Sequence, residues 1–227
     1  MLSVSNIKVY DLFECVVASG NAMRTEQAEY SEEEFKKGLE RCKRLVRTSA
    51  ESDVKCHDNF LTGIRVSFDV VYPQYWTPEF QRYHFADIVT SASKMHRLLK
   101  MNLEKSCNKY VTKETIEHVQ SLIDEYNALA EEELWNEDRV MHFELRDGYV
   151  TAYDKESALY YAWMRVLSNT PLGLELFERV STNYKQLQTI YSQRKNHKLK
   201  EDWGAFCSFV KSLPYAEEFI VGKEALC

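Results

Sequence analysis

Glycine and proline are scarce in this chain, 7 and 4 among 227 residues. Together they make up about 5%, against roughly 12% in an average protein. An all-β sandwich or barrel needs many tight turns and is excluded on that ground. No G-x-G-x-x-G or Walker A sequence occurs, so neither a Rossmann nor a P-loop phosphate cradle is available. Excess positive charge is also missing: 29 basic against 35 acidic residues give a net charge of −6, and no overall field attracts DNA or RNA. No apolar run approaches the ~20 residues that span a bilayer, and the N-terminus lacks the basic and apolar regions of a signal peptide. A soluble, cytoplasmic protein without nucleic-acid or membrane partners is expected. The six cysteines, Cys15, Cys42, Cys56, Cys107, Cys207 and Cys227, form no C-x-x-C pair. They read as reduced thiols, mostly small core residues, with no metal site.

What remains is a helix-rich α+β pattern with 44% apolar residues, enough for a continuous core. Asn6 to Leu12 alternates and predicts a first strand. Ser31 and Glu34 stand at capping-box spacing before Phe35, Leu39, Cys42 and Val46, which predicts a helix from about Glu32 to Arg47. Phe60 to Tyr72 is the clearest strand, with Ile64, Val66, Phe68 and Val70 on one side and Arg65, Ser67 and Asp69 on the other. Thr77 to Lys100 reads as helical or irregular. Lys113 to Ala130 predicts an amphipathic helix. His142–Leu145 and Tyr149–Tyr153 flank Arg146-Asp147-Gly148 as a hairpin. Helices are expected at Ser157–Leu167, Leu172–Tyr191 and Glu201–Leu213. With no repeat, low-complexity stretch or linker, residues 1–227 read as one domain. Tyr160, Tyr161 and Trp163 are expected in the core, and His118 and His142 in surface or structural roles.

Two stretches carry polar chemistry. Gln81-Arg82-Tyr83-His84, Asp87 and Ser91 through Arg97 place hydroxyls, imidazoles and cations within a short span. They form either a phosphate-binding set or a solvated helix face. From Asn183 to Lys198, Leu187, Ile190 and Arg194 share one helical face, so Arg194 must meet an anion there. That anion is either a carboxylate of the protein or a ligand.

The segment from His57-Asp58-Asn59-Phe60 through Pro73 to Arg82-Tyr83-His84 resembles the central segment of the flavin-dependent thymidylate synthases. The tracts from Thr182 to Leu187 and from Arg194 to Leu199 are similar to those of the family's divergent, phage-type members. The resemblance covers about a third of the chain. It implies an α+β fold with a small, mainly antiparallel sheet packed by long helices, FAD and a folate donor as co-reactants, and methylation or a related alkylation at C5 of dUMP. It further implies a homotetramer with its sites between subunits, in a host cytoplasm if phage-encoded. Carried over by position, His57, Arg82, His84, Asn183 and His197 contact the flavin. Ser91, Ser93, Lys94, Arg179 and Lys185 hold the nucleotide, and Arg194 polarises the pyrimidine. The family's R-H-R-x7-S signature is altered: Tyr83 stands at its histidine, His84 at its second arginine and Ala92 at its serine. Thr90 replaces a glutamate and Lys94 a phosphate-binding arginine. A histidine lacks the permanent charge and forked geometry of arginine. The sequence therefore also allows a catalytically degenerate protein that sequesters a nucleotide or nucleotide-derived signal, or a purely structural oligomer.

Overall fold

The structure, a computed structural model, describes residues 1–51, 57–136 and 139–222. In chain order the elements are β1 (Ser3–Tyr10), α1 (Leu12–Ala18), α2 (Glu32–Glu51), β2 (Arg65–Pro73), α3 (Thr77–Phe80), β3 (Asp87–Ser91), α4 (Lys94–Arg97) and α5 (Leu103–Ser106). They continue as α6 (Lys113–Glu131), β4 (Met141–Leu145), β5 (Gly148–Ala152), α7 (Lys155–Asn169), β6 (Glu175–Asn183), α8 (Tyr184–Arg194) and α9 (Lys200–Lys211). The chain divides into two compact units. One comprises Met1–Tyr72, Trp76–Ala92 and Phe177–Cys227, the other Pro73–Tyr75 and Ser93–Leu176.

The first unit carries a four-stranded sheet in the order β1-β2-β6-β3. β1 runs antiparallel to β2 and β3 antiparallel to β6. Between β2 and β6, Tyr184 N–H donates to the Ile64 carbonyl while Tyr72 at the other end of β2 reaches Glu178, so this pair is antiparallel too. Alternation decides which face is covered: Val66, Phe68 and Val70 are fully buried, whereas Arg65, Ser67, Asp69 and Val71 face the other way and are half-buried. Phe68 packs on Phe206 and Phe209 of α9 at ring separations of 6.0 and 4.7 Å, which seats the helical layer on the sheet. Trp76 stacks on Phe80 at 4.5 Å and meets Trp203 in a tilted contact at 4.9 Å. In β1 an extra residue between Ser5 and Lys8 makes a bulge, with Asn6 at φ 49°, a conformation that asparagine tolerates. The Ser31 hydroxyl accepts from Glu34 N–H as the capping spacing requires, and α2 buries Cys42 and Val46.

In the second unit α6 and α7 bury Val119, Leu122, Ile123 and Val166 against Leu98, Leu103 and Leu174. The β4–β5 hairpin closes a smaller cluster around Phe143, Ala152, Ala158 and Ala162. Its loop is two residues, Arg146 and Asp147, and Gly148 at φ 141° already pairs with Leu145, a backbone angle that favours glycine. Among the described residues, no helix is long and apolar enough to cross a membrane.

The fold is α+β with a small antiparallel sheet, as the sequence reading expected, while several element boundaries differ. The predicted helix over Leu172–Tyr191 is strand β6 followed by α8. Glu178 is the reason: it takes an inward position of the strand, at 3% exposure, and hides the alternation. β3 lies inside the stretch read as helical or irregular, and all five of its residues are exposed, so it carries no pattern of burial. Asn59–Thr62 is a short 3₁₀ turn, and the strand following it starts at Arg65. β1 ends at Tyr10, and Leu12 opens a helix after Asp11 at φ 59°. Tyr160 is largely exposed, while Tyr161 and Trp163 are half-buried. His118 and His142 lie on the surface. Cys42 and Cys207 are buried, Cys15 and Cys107 partly so, and all four are free thiols. Burial pushes the Cys42 thiol up to about 11, which keeps it protonated and unreactive at neutral pH. Cys56 and Cys227 lie outside the described residues.

Candidate functional site

The strongest assembly of polar groups in the first unit is built on the C-terminal end of α8. Helix α8 starts where Asn183 Oδ1 accepts from Gln186 N–H at 2.8 Å, an N-cap that sets its register. Leu187 and Ile190 anchor the buried face, and Arg194 extends along it. Its Nε donates to Tyr83 Oη at 2.7 Å and its Nη1 to Glu79 Oε2 at 3.2 Å. The guanidinium also lies 4.8 Å from the Trp203 ring centroid and 5.6 Å from that of Tyr83. Among the described residues no acceptor takes Nη2. Arg194 is therefore held through Nε and Nη1, with Nη2 left over.

Glu79 is the hub of this cluster. The same Oε2 accepts from Trp203 Nε1 at 2.8 Å and pairs with His197 Nε2 at 3.3 Å. His197 Nδ1 accepts from Leu199 N–H, so Nε2 is the nitrogen that carries the proton toward Glu79. Tyr83 Oη in turn donates a hydrogen bond to Gln193 Oε1 at 3.0 Å. Burial raises the Tyr83 phenol above its ordinary value, and it stays neutral. Beside the cluster opens a cavity of about 440 Å³ lined by Arg194, Lys195, Asn196, His197, Lys200, Trp203 and Gly204. Its walls carry three permanent cations, and Gly204 leaves open space where a side chain would stand.

A second cluster occupies the sheet face. Arg179 Nη1 donates to Asp69 Oδ1 at 3.0 Å and to the Asn6 carbonyl at 2.9 Å. The Asn6 carboxamide and the Arg179 guanidinium hold the Asp69 carboxyl below the usual carboxylate range. Thr90 pairs with Arg179 and Ser91 with Glu178 across the β3–β6 ladder, and these residues line a cavity of about 360 Å³ with Val71 and Phe177. Behind it Glu178 Oε2 accepts from Tyr72 Oη at 2.8 Å. Burial raises the Glu178 carboxyl, with the Tyr72 hydrogen bond working in the opposite direction. A carboxyl raised above its unfolded value contributes fully below that value, and the contribution is lost as pH rises through the folded one. Glu178→Gln keeps the acceptor for Tyr72 and removes the charge. Its unfolding free energy relative to wild type is expected to increase between pH 4 and pH 8, as read by urea unfolding across that range.

Lys185 forms the third cluster. Its Nζ sits 2.6 Å from Oδ2 of the fully buried Asp58 and 3.3 Å from Gln188 Oε1, and Asp58 Oδ1 accepts from Ser49 Oγ at 2.9 Å. His57, the preceding residue, is exposed. Arg82 and His84 are exposed on either side of buried Tyr83, next to the exposed ring of Phe85.

The structure thus brings Arg194 together with His197, and Ser91 together with Arg179. Lys185 and Arg194 are nine residues apart on one helix, which puts them about 13 Å apart and on opposite faces. Asn183 spends its carboxamide oxygen on the cap. Ser93 and Lys94 belong to the second unit, where Ser93 Oγ pairs with His96 Nδ1 at 2.8 Å and Lys94 Nζ donates to Gln74 at 3.0 Å. Glu79 and Trp203 went unnoticed in the sequence. A glutamate three residues before Arg82 and a tryptophan nine after Arg194 offer no motif, and only the fold joins them.

No protein-family model matches the sequence, and no curated protein is similar to it. Solved structures are similar over nearly the whole chain. One is the flavin-dependent thymidylate synthase ThyX from Helicobacter pylori complexed with FAD and dUMP, at 13% identity, TM-score 0.57 and 96% coverage of both chains. A second structure of Helicobacter pylori ThyX with FAD and dUMP gives 13% identity and a TM-score of 0.60, covering 97% of this chain and 96% of that one. The UMP/dUMP methylase PolB from Streptomyces cacaoi bound with 5-Br dUMP gives 11% identity and a TM-score of 0.54, covering 98% and 94%. At such identities the likeness establishes architecture, and the chain has the fold of the flavin-dependent thymidylate synthases.

Proposed function

We propose that this protein binds a deoxyuridine nucleotide and FAD and alkylates the pyrimidine at C5, with a folate as the one-carbon donor. The observation that carries the reading is Arg194, held rigidly by Tyr83 and Glu79 with Nη2 left over beside a cavity whose other walls are basic. A fixed donor aimed at a carbonyl stabilises the negative charge that develops there when the ring accepts a nucleophile. The cations Lys195 and Lys200 receive the phosphate, and Trp203 with His197 shields the inner end from water.

The residues around the Arg82-to-Phe85 turn fit FAD by their chemistry. Arg82 offers a permanent cation to a pyrophosphate, His84 a further donor, and Phe85 an exposed ring to an aromatic group. Flavin, when bound and reduced, supplies a hydride. The opposed placement of Lys185 and Arg194 on α8 supports a site that takes residues from more than one chain, and hence a homo-oligomer.

One observation favours a second reading, a binding protein without turnover. Lys185, Arg179 and Arg194 are each paired with a carboxylate of the same chain: Asp58, Asp69 and Glu79. A cation already neutralised does little for the negative charge that develops during turnover, so binding outlasts catalysis. The two readings separate in one assay, in which C5-deuterated dUMP is incubated with FAD, a reductant and methylenetetrahydrofolate. Loss of deuterium to solvent with gain of a methyl mass is expected for the enzyme. Retained label together with saturable dUMP binding identifies the binder.

A further inference from the structure

We infer that Glu79 determines the specificity of the Arg194 pocket: it cancels the charge of Arg194, so that the inner end accepts a neutral carbonyl and an anionic group is turned outward to Lys200. For the identity of the ligand the inference rests on the nucleotide reading above, whereas for the charge of the pocket it rests on geometry alone. The Arg194 guanidinium, at 13% exposure, has the Glu79 carboxylate at 3.2 Å, so an approaching anion meets a paired cation together with a carboxylate that repels it. The hydrogen-bonding geometry points the same way. Phosphate binding by arginine draws its strength from two parallel N–H donors. Here Nε is committed to Tyr83 and Nη1 to Glu79, so each of the two parallel forks, Nε with Nη2 and Nη1 with Nη2, has one nitrogen already engaged, and Nη2 remains to meet a carbonyl oxygen. His197 offers no donor to an anion through that nitrogen, because its Nε2 is also directed at Glu79. Positive charge instead accumulates at the outer end of the cavity, where Lys200 is exposed. A ligand with a neutral ring at one end and a phosphate at the other enters ring first.

Glu79→Gln tests this without removing the acceptor that Trp203 and Arg194 use. Inorganic phosphate, deoxyuridine and dUMP are titrated into the full-length protein by calorimetry, with thermal unfolding as the check on folding. In Glu79→Gln the affinity for inorganic phosphate is expected to rise about 10-fold or more, while that for deoxyuridine stays within about 3-fold. Unchanged phosphate affinity in a folded Glu79→Gln protein overturns the inference. Lys200→Ala provides an independent arm. It should weaken dUMP binding about 10-fold, Lys195 still holding the phosphate, and leave deoxyuridine unaffected; an equal change for both ligands, or none for dUMP, contradicts the outward orientation. If wild type binds neither deoxyuridine nor dUMP, the nucleotide reading fails, and the phosphate titration of Glu79→Gln still decides the role of Glu79.

Discussion

Arg194→Gln is expected to weaken dUMP binding about 100-fold, which corresponds to about 2.7 kcal/mol. The loss combines two effects. The substitution removes the Nη2 group proposed to address the pyrimidine carbonyl, and it leaves Glu79, at 27% exposure, without its cation. The unpaired carboxylate then faces the pyrimidine carbonyl, acceptor against acceptor, at the inner end of the pocket. Calorimetric titration of dUMP checks the magnitude. Titration of inorganic phosphate provides the contrast, because an arginine already paired with Glu79 contributes little to it and phosphate affinity should change less than about 3-fold. A substitution that merely damaged the fold would lower both.

Lys185→Met is expected to act on stability first. Asp58 is fully buried and, among the described residues, accepts from two side chains, Ser49 and Lys185. Removing one partner of a buried ion pair strands a charge and costs about 3–5 kcal/mol, a far larger penalty than losing an exposed pair. For a domain of this size, that corresponds to a fall in Tm on the order of 10 °C. The double variant Asp58→Asn/Lys185→Met should recover much of the loss, since no buried charge is then left over. Differential scanning calorimetry on the three variants reads the effect. A Lys185 that served only to clamp phosphate would leave the Tm of the ligand-free protein unchanged when replaced.

These two residues show how far the sequence reading reached. The spacing of Leu187, Ile190 and Arg194 placed an arginine on a buried face and required an anion there, but could not say which. Glu79 lies 115 residues earlier in the chain, and only the packing of Trp76, Phe80 and Trp203 brings it to Arg194. Periodicity fixed α2, α6 and β2 because each buries one face against the core, so burial and sequence pattern coincide. It missed β3, whose residues are all exposed, and β6, whose inward face carries Glu178 and Thr182. A strand held by ladder hydrogen bonds with polar residues inside has no amphipathic signature to read. Lys185 was legible as a cation in a polar tract. Its partner Asp58, more than a hundred residues away, was not.

The proposed function requires that the turn from Arg82 to Phe85 and the Arg194 pocket together bind flavin and pyrimidine nucleotide. It is tested most directly by titrating the purified protein, supplied with FAD, with dUMP and following the visible absorbance of the flavin. Saturable FAD binding followed by a dUMP-dependent shift of the flavin band, diminished in Arg194→Gln, is predicted. A flavin spectrum indistinguishable from that of free FAD, with no response to dUMP on the order of 1 mM, would contradict it.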